Sequence, residues 1–258
     1  GGWDNRTFRL GDGLLVRLPS AERYAAQVKK EQRWLPVLAQ GLPVAVPRPV
    51  GLGRAGALFA WTWSVYEWIE GETVTAPSHD VRLARAVAGF LRAIWAMDTA
   101  GGPAPGAHNF ERGGRLAVYD AEARAGIAAL TGRLDAERAL ALWERALRSA
   151  WQGPDVWVHG DMAAGNMLLR DGELAAIIDF GGLAVGDPAC DLVVARTLFE
   201  GDARAAFVDA TQMDAATWNR ARGWALWKAV IVAAGLQTDA AIAAQTQKVI
   251  AALLADEG

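Results

Sequence analysis

Cysteine is almost missing from this chain. Its 258 residues hold one, Cys190, so no internal disulfide can form. A lone cysteine inside an apolar run reads as a small core residue, and the lack of a disulfide framework fits a reducing cytoplasm. Long apolar runs are missing as well. No stretch reaches the roughly 18 residues of a membrane span, and no signal-peptide pattern follows Gly1. Nor is there an excess of basic charge. Lys and Arg number 26 against 29 Asp and Glu, a net charge of -3. A nucleic-acid binder normally shows a basic face. Composition therefore speaks against nucleic acid and membrane as partners and permits a cationic small molecule.

What is present is enough for a core: 52% of residues are hydrophobic and 21% charged. The length suits one large domain or two small lobes. "TFRLGDGLLVRLP" carries two short apolar runs around Gly11-Asp12-Gly13, a hairpin signal. Ser20 is expected to cap a helix running to about Gln40, with Pro36 kinking or ending it early. "VPRPVGLG" reads as a connection, and "ALFAWTWSVYEWIEG" as one or two strands. After Gly71 the pattern becomes helical, first behind Ser78, then near 118–130 and 135–150. Asp187-Pro188 reads as an N-cap with proline at the first helical position, and helices fill most of the remainder. Strands first and helices later indicate an α+β chain of two lobes, with the boundary near 68–78.

The chemistry concentrates in "VHGDMAAGNMLL", residues 158–169, and in "IIDFGG", which ends at Gly182. Taken singly, Asp161, Asn166 and Asp179 are each turn or strand-end residues. A hairpin turning at Asp171-Gly172 joins them: Asn166 opens one strand and Asp179 closes its antiparallel partner, with Asp161 just upstream. Two carboxylates and an amide brought together are costly without a cation or ordered hydrogen bonds. All three offer hard oxygen, which suits Mg²⁺ sharing its shell with water and substrate phosphates. Asn166 and Asp179 would hold the metal, leaving Asp161 to accept a hydroxyl proton, a division that suits phosphoryl transfer.

"HGDMAAGN" followed by "DFGG" is similar to the catalytic and metal-binding loops of the protein-kinase-like fold. Gly160, standing where protein kinases have Arg, together with "IIDFGGLAVGDPACDL", resembles the aminoglycoside phosphotransferase family. The resemblance spans nearly the whole chain. It implies a two-lobed kinase-like fold with a small antiparallel-sheet lobe over 1–70, ending in a hinge, and a larger, mainly helical catalytic and substrate-binding lobe over 71–258. It also implies a first strand upstream of Gly1. Carried onto these residues, Asp161 is the catalytic base, Asn166 and Asp179 the magnesium ligands, His159 a brace for the loop, and Asp191 the buried Asp that holds the loop backbone. Asp187 would cap its helix and Phe180 would pack.

In the first lobe the resemblance gives Arg17 of "VRLP" as the cation over the nucleotide phosphates, where the wider fold has Lys, and Glu31 as its holder. Lys29 and Lys30 lie on the helix and are poor substitutes. "GGWDNRTFRL" would cover the nucleotide, with Gly2 allowing close approach and Asn5 and Arg6 reaching phosphate. Backbone groups around Glu67, Trp68 and Ile69 would read the base, with Val65 or Tyr66 lining its pocket. The implied donor is ATP or GTP with Mg²⁺. The implied acceptor is a small hydroxylated molecule, an aminoglycoside-type antibiotic in a resistance kinase. A macrolide, amino alcohol or sugar metabolite is the alternative within the fold, and a nucleotide-binding pseudoenzyme, suggested by Arg17, the alternative outside catalysis. The substrate-binding residues stay open. Trp218, Trp224 and Trp227 are core or a sugar-binding wall, and Glu200, Asp202, Asp209 and Asp214 are solvated helix ends or ammonium sites.

Overall fold

A computed structural model describes residues 4–236 and 240–255. Its first sheet begins with β1 (Asn5–Leu10) and β2 (Leu14–Pro19), an antiparallel hairpin closed through Gly11-Asp12-Gly13, with Gly11 at φ 61°. Helix α1 (Glu22–Leu38) follows, then β3 (Pro49–Gly53) and β4 (Trp63–Glu67). The strand order is β1-β2-β4-β3, antiparallel throughout. Helix α1 buries Tyr24, Gln27, Val28, Glu31, Leu35 and Leu38, whose spacing keeps them on one face.

Three local expectations need correction. Ser20 does not cap α1; the cap position is Ala21, without a side-chain hydrogen bond. Pro36 lies in the last turn and α1 continues past it to Leu38, because a proline so near the end removes little of the ladder. "VPRPVGLG" is more than a connection. Its second half is the edge strand β3, which tolerates proline as its first residue. The helix expected behind Ser78 is capped by Asp80, which accepts the Arg82 and Leu83 amides at 2.7 and 3.2 Å.

The second half holds β5 (Glu72–Thr73), α2 (Val81–Trp95), α3 (Asp120–Ala129) and α4 (Ala136–Leu147). Next come β6 (Val156–Val158), β7 (Met167–Arg170), β8 (Glu173–Ile177) and β9 (Ala184–Gly186). The chain closes with α5 (Val194–Thr197), α6 (Gly201–Thr211), α7 (Ala215–Ile231) and α8 (Ala240–Ala255). Strands β5, β7 and β8 form one small sheet, and β6 pairs with β9 in another. The β7–β8 turn places Asp171 and Gly172 at φ 54° and 78°, the paired positive values of a tight hairpin. Asp187 accepts the Ala189 amide at 3.0 Å and starts the 3₁₀ turn Pro188–Val193.

The main core lies among the helices. Val87, Phe90, Leu91 and Ile94 of α2, Trp143 of α4, and Leu226 and Val230 of α7 are fully buried. Trp157 of β6 meets Trp34 of α1 edge-on at 4.9 Å and donates to the Asp98 carbonyl at 2.8 Å, so its indole is packed and satisfied together. Among the described residues, no helix is long and apolar enough to cross a membrane.

Candidate active site

The strand β6 delivers residues 159–161 into a turn that only glycine can make. Gly160 has φ 83°, and a Cβ there would meet the Gly182 carbonyl oxygen at 2.3 Å. Asp191, fully buried, accepts the His159 amide at 2.8 Å and the Gly160 amide at 2.7 Å. Burial pushes its carboxyl up to about 7, against the pull of those two amides. His159 is buried, its Nδ1 accepts the Asp161 amide at 3.2 Å, and its Nε2–H therefore donates to the Ile178 carbonyl at 3.1 Å. Burial lowers its pKa, keeping the ring neutral, and the ring packs on Phe180 at 4.5 Å. With both nitrogens engaged, His159 supports the loop.

The β7–β8 pairing sets Met167 opposite Ile177, and the Ile178 amide donates to the Asn166 carbonyl at 2.9 Å. Asn166 and Asp179 thus emerge from adjacent strand ends. Asn166 Nδ2 donates to the Asp161 carbonyl at 2.8 Å and to its Oδ2 at 3.2 Å, which leaves Oδ1 as its donor to a cation. Asp161 Oδ1 is not free, as the sequence led us to expect; it holds the Lys228 ammonium of α7 at 2.8 Å. Burial pushes the Asp161 carboxyl up, but Lys228, and then Arg112, hold it well below the usual carboxylate range. Asp179 adopts a left-handed backbone, φ 67° and ψ 72°, uncommon for a residue with a side chain and of the kind that gathers at functional sites.

Arg17 joins the two halves. Its Nη2 donates to Asp179 Oδ1 at 2.7 Å, and its Nη1 to both Glu31 oxygens at 3.3 and 3.2 Å. The side chains of Arg17 and Glu31 are 11% and 4% exposed, so this is a buried pair with a fixed geometry, not a solvated surface contact. Tyr66 is buried and donates its hydroxyl to Glu31. Lys30 makes a separate contact. Its Nζ donates to the Gly181 carbonyl at 2.6 Å, tying α1 to the turn after Asp179. Burial lowers its pKa to about 8.

Other expected residues scatter. Asn5 is buried in β1 opposite Pro19, and Arg6 is exposed. Gly2 lies outside the described residues. The Glu67 and Trp68 amides are spent on the Arg48 and Gly13 carbonyls at 3.0 and 2.8 Å, which leaves Ile69 to offer an amide to a base. Trp224 and Trp227 line the pocket beside Asp161, whereas Trp218 packs on Phe207 at 6.4 Å. Asp214 caps α7 through the Thr217 amide at 2.6 Å. Asp187 pairs with Arg220 at 2.6 Å besides capping its turn.

Three residues escaped the sequence reading. Asp4, half-buried and bonded by Gln27 Nε2 at 3.1 Å, has its carboxyl raised by burial and then by the nearby charges of Asp179 and Asp161. Arg112 and Lys228 face Asp161 from a loop and from α7. Lys228 did leave a signal, a single charge in the otherwise apolar turn "ALWKAVI". Arg112 lies in a loop of no periodicity and left none.

The family model for the phosphotransferase enzyme family, APH, matches residues 1–224. The chain belongs to this family. The phosphotransferase matches no curated protein, but many solved structures share its fold. The GDP and kanamycin complex of APH(2")-IIIa superposes with a TM-score of 0.75 at 18% identity, covering 100% of this chain and 92% of that one. The gentamicin complex of APH(2")-IIa gives 0.64 at 20% identity, covering 99% and 89%. Macrolide 2'-phosphotransferase MphH from Brachybacterium faecium gives 0.59 at 20% identity, covering 97% and 93%. The fold is thus that of the kinase-like phosphotransferases, with the antiparallel-sheet lobe first and the helical lobe after it.

The donor set of this phosphotransferase fits Mg²⁺. Among the described residues, no three His, Cys, Asp or Glu side chains are arranged to hold a metal by themselves. Mg²⁺ does not need that, since it is commonly bound by one or two protein oxygens plus water and phosphate. Asn166 Oδ1 and Asp179 Oδ2 provide such a pair. Asp4 feels the charges of Asp179 and Asp161 beside it.

Proposed function

We propose that this phosphotransferase moves the γ-phosphoryl group of ATP or GTP to a hydroxyl of a small molecule, with Asn166 and Asp179 holding Mg²⁺. The observation that carries this reading is the ionised Asp161, fixed between Asn166 Nδ2 and Lys228 Nζ in a loop that Asp191 and His159 hold from behind. Asp161 orients the acceptor hydroxyl. Its oxygen bonds to the γ-phosphorus as the bridging P–O bond breaks; the proton passes to Asp161, and the nucleoside diphosphate leaves. A carboxylate held this acidic takes the proton late, as a loose phosphoryl-transfer transition state permits. Lys228 balances charge across the transferring group, and Arg17, braced by Glu31, faces the donor phosphates. Held by Asn166 and Asp179, Mg²⁺ would neutralise charge on the donor phosphates.

Residues 1–70 form the nucleotide lobe in this reading, with Asn5 near the phosphates and Glu67, Trp68 and Ile69 at the base. Residues 71–258 carry catalysis and the acceptor. Asp161→Asn is expected to cut phosphate transfer by about a thousandfold while leaving the melting shift induced by Mg-nucleotide in place. A near-wild-type rate of diphosphate release in that variant sinks the assignment. A pseudoenzyme would show the melting shift and no acceptor-dependent release in either form.

The kanamycin and gentamicin complexes of related folds support an aminoglycoside acceptor and antibiotic resistance as the setting. MphH supports a macrolide. One observation favours a different acceptor: the wall facing Asp161 is cationic.

A further inference from the structure

Arg112 is built into an aromatic corner beside the base. Its guanidinium carbon lies 5.2 Å from the Trp224 ring and 5.0 Å from the Trp227 ring, and the two indoles stand nearly perpendicular at 83°. Tyr119 stacks behind Trp227 at 3.9 Å, fixing its plane. Such a corner holds a cation by the ring faces and leaves its N–H fork for another partner. Among the described residues, Arg112 forms no ion pair. Of the carboxylates near it, Glu111 acts on Tyr119 and lies outside the pocket lining, and three others are engaged elsewhere. Glu122 accepts the Trp227 indole N–H at 3.1 Å, Asp187 binds Arg220 at 2.6 Å, and Asp191 takes the His159 and Gly160 amides. Asp161 is bonded to Lys228. The wall that an acceptor meets therefore carries two cations, Arg112 and Lys228, and one carboxylate, which is the base itself.

A polyamine acceptor would bring its ammonium groups against that wall, whose lining holds no carboxylate besides Asp161. An acidic acceptor finds a guanidinium fork, whose geometry matches a carboxylate or phosphate in two parallel hydrogen bonds. The flanking indoles are themselves buried, so they hold the guanidinium in place and leave its fork to the acceptor.

We propose that Arg112 anchors an acidic group of the acceptor, so that this phosphotransferase acts on anionic hydroxy compounds. The proposal rests on the hydroxyl-transfer reading above and names its substrate class. Carboxylate and phosphate share the recognising chemistry; hydroxy acids and sugar or polyol phosphates are its two sources.

The test has a binding arm and a turnover arm, both on the full chain with Mg²⁺. In the first, titration calorimetry with a non-hydrolysable ATP analogue present follows matched pairs: gluconate and glucose 6-phosphate against glucose, glycerate and glycerol 3-phosphate against glycerol, and kanamycin. Acid-bearing members should bind about tenfold or more tightly than their neutral parents. Arg112→Met should remove that preference, and Arg112→Lys should restore part of it. Preference for carboxylates over phosphates, or the reverse, identifies the source. In the second arm, coupled diphosphate release should show the acid-bearing members' KM rising about tenfold more than the neutral parents' KM in Arg112→Met, while a fall in kcat common to both groups reports the field of Arg112 on Asp161. Tighter binding of kanamycin or of the neutral parents, or an acid preference that survives Arg112→Met, overturns the proposal. Failure of the hydroxyl-transfer reading looks different: acid binding depends on Arg112, yet no acceptor stimulates diphosphate release, or Asp161→Asn releases it equally well.

Discussion

Lys30 illustrates how a residue passed over in the sequence can be held tightly in the fold. On α1 its neighbour Glu31 faces Arg17, while Lys30 itself reaches the Gly181 carbonyl. Its pKa is lowered to about 8 in the folded chain, chiefly by burial, from the usual 10.5. Between those values the unfolded chain keeps the proton and the folded chain does not. Stability attributable to Lys30 should therefore rise with pH from about 8 to about 10.5, by on the order of 3 kcal/mol in all. Below about 8 that contribution is lost. Urea titrations across this range should show Lys30→Met with a visibly flatter alkaline limb than the parent. Identical slopes would mean that Lys30 keeps its proton throughout. The convergence of Asp161, Asn166 and Asp179 was readable because it depends on spacing along two strands. The sequence could not disclose Lys228, Arg112 or the burial of Lys30, because those depend on how α1, α7 and a loop pack against the strands.

At the level of elements, the turn after β6 and the turn after β8 are a single packed unit. Gly160 and Gly182 approach so closely that Gly160 has no room for a side chain and Gly182 little, a Cβ there meeting the Gly160 backbone at 3.0 Å. This gives a physical reason for Gly160 where protein kinases carry Arg: backbone, not a side chain, fills the space. Gly160→Ala should cost about 3 kcal/mol from the left-handed backbone and the clash together, and it should lower activity by displacing Asp161. Gly165→Ala in the same loop meets nothing within 4 Å and has no left-handed backbone, so its stability should change by no more than about 0.5 kcal/mol. Chemical denaturation of both variants checks the contrast; equal losses would show that loop length, not close approach, governs the turn. Element types were readable where periodicity or turn chemistry was strong, as in the Gly11–Gly13 and Asp171–Gly172 hairpins and in α2. They were obscured where proline stood at a permitted position, as in β3 and the last turn of α1.

Across the whole molecule, the halves are fastened at the active site. Arg17 crosses to Asp179, Lys30 to Gly181, Trp34 to Trp157, and Ala45 exchanges backbone hydrogen bonds with residues 175 and 177 at 3.0 Å each. The site is thus also a joint, and Arg17 belongs to both. Removing it strands Glu31, whose remaining partner is Tyr66. Arg17→Met should destabilise by about 3–5 kcal/mol, the usual cost of leaving one member of a buried pair. Arg17→Met with Glu31→Gln should recover most of that loss, because the buried charge goes with it. Nucleotide linkage separates the two roles. At a hundred times its dissociation constant, Mg-nucleotide should add about 2.7 kcal/mol to the parent. The double variant, though refolded to near-parent stability, should gain far less at the same concentration, since no cation faces the phosphates. Melting curves with and without Mg-ATP decide it: an undiminished shift in the double variant would leave Arg17 as a joint alone, with the phosphates held by other groups.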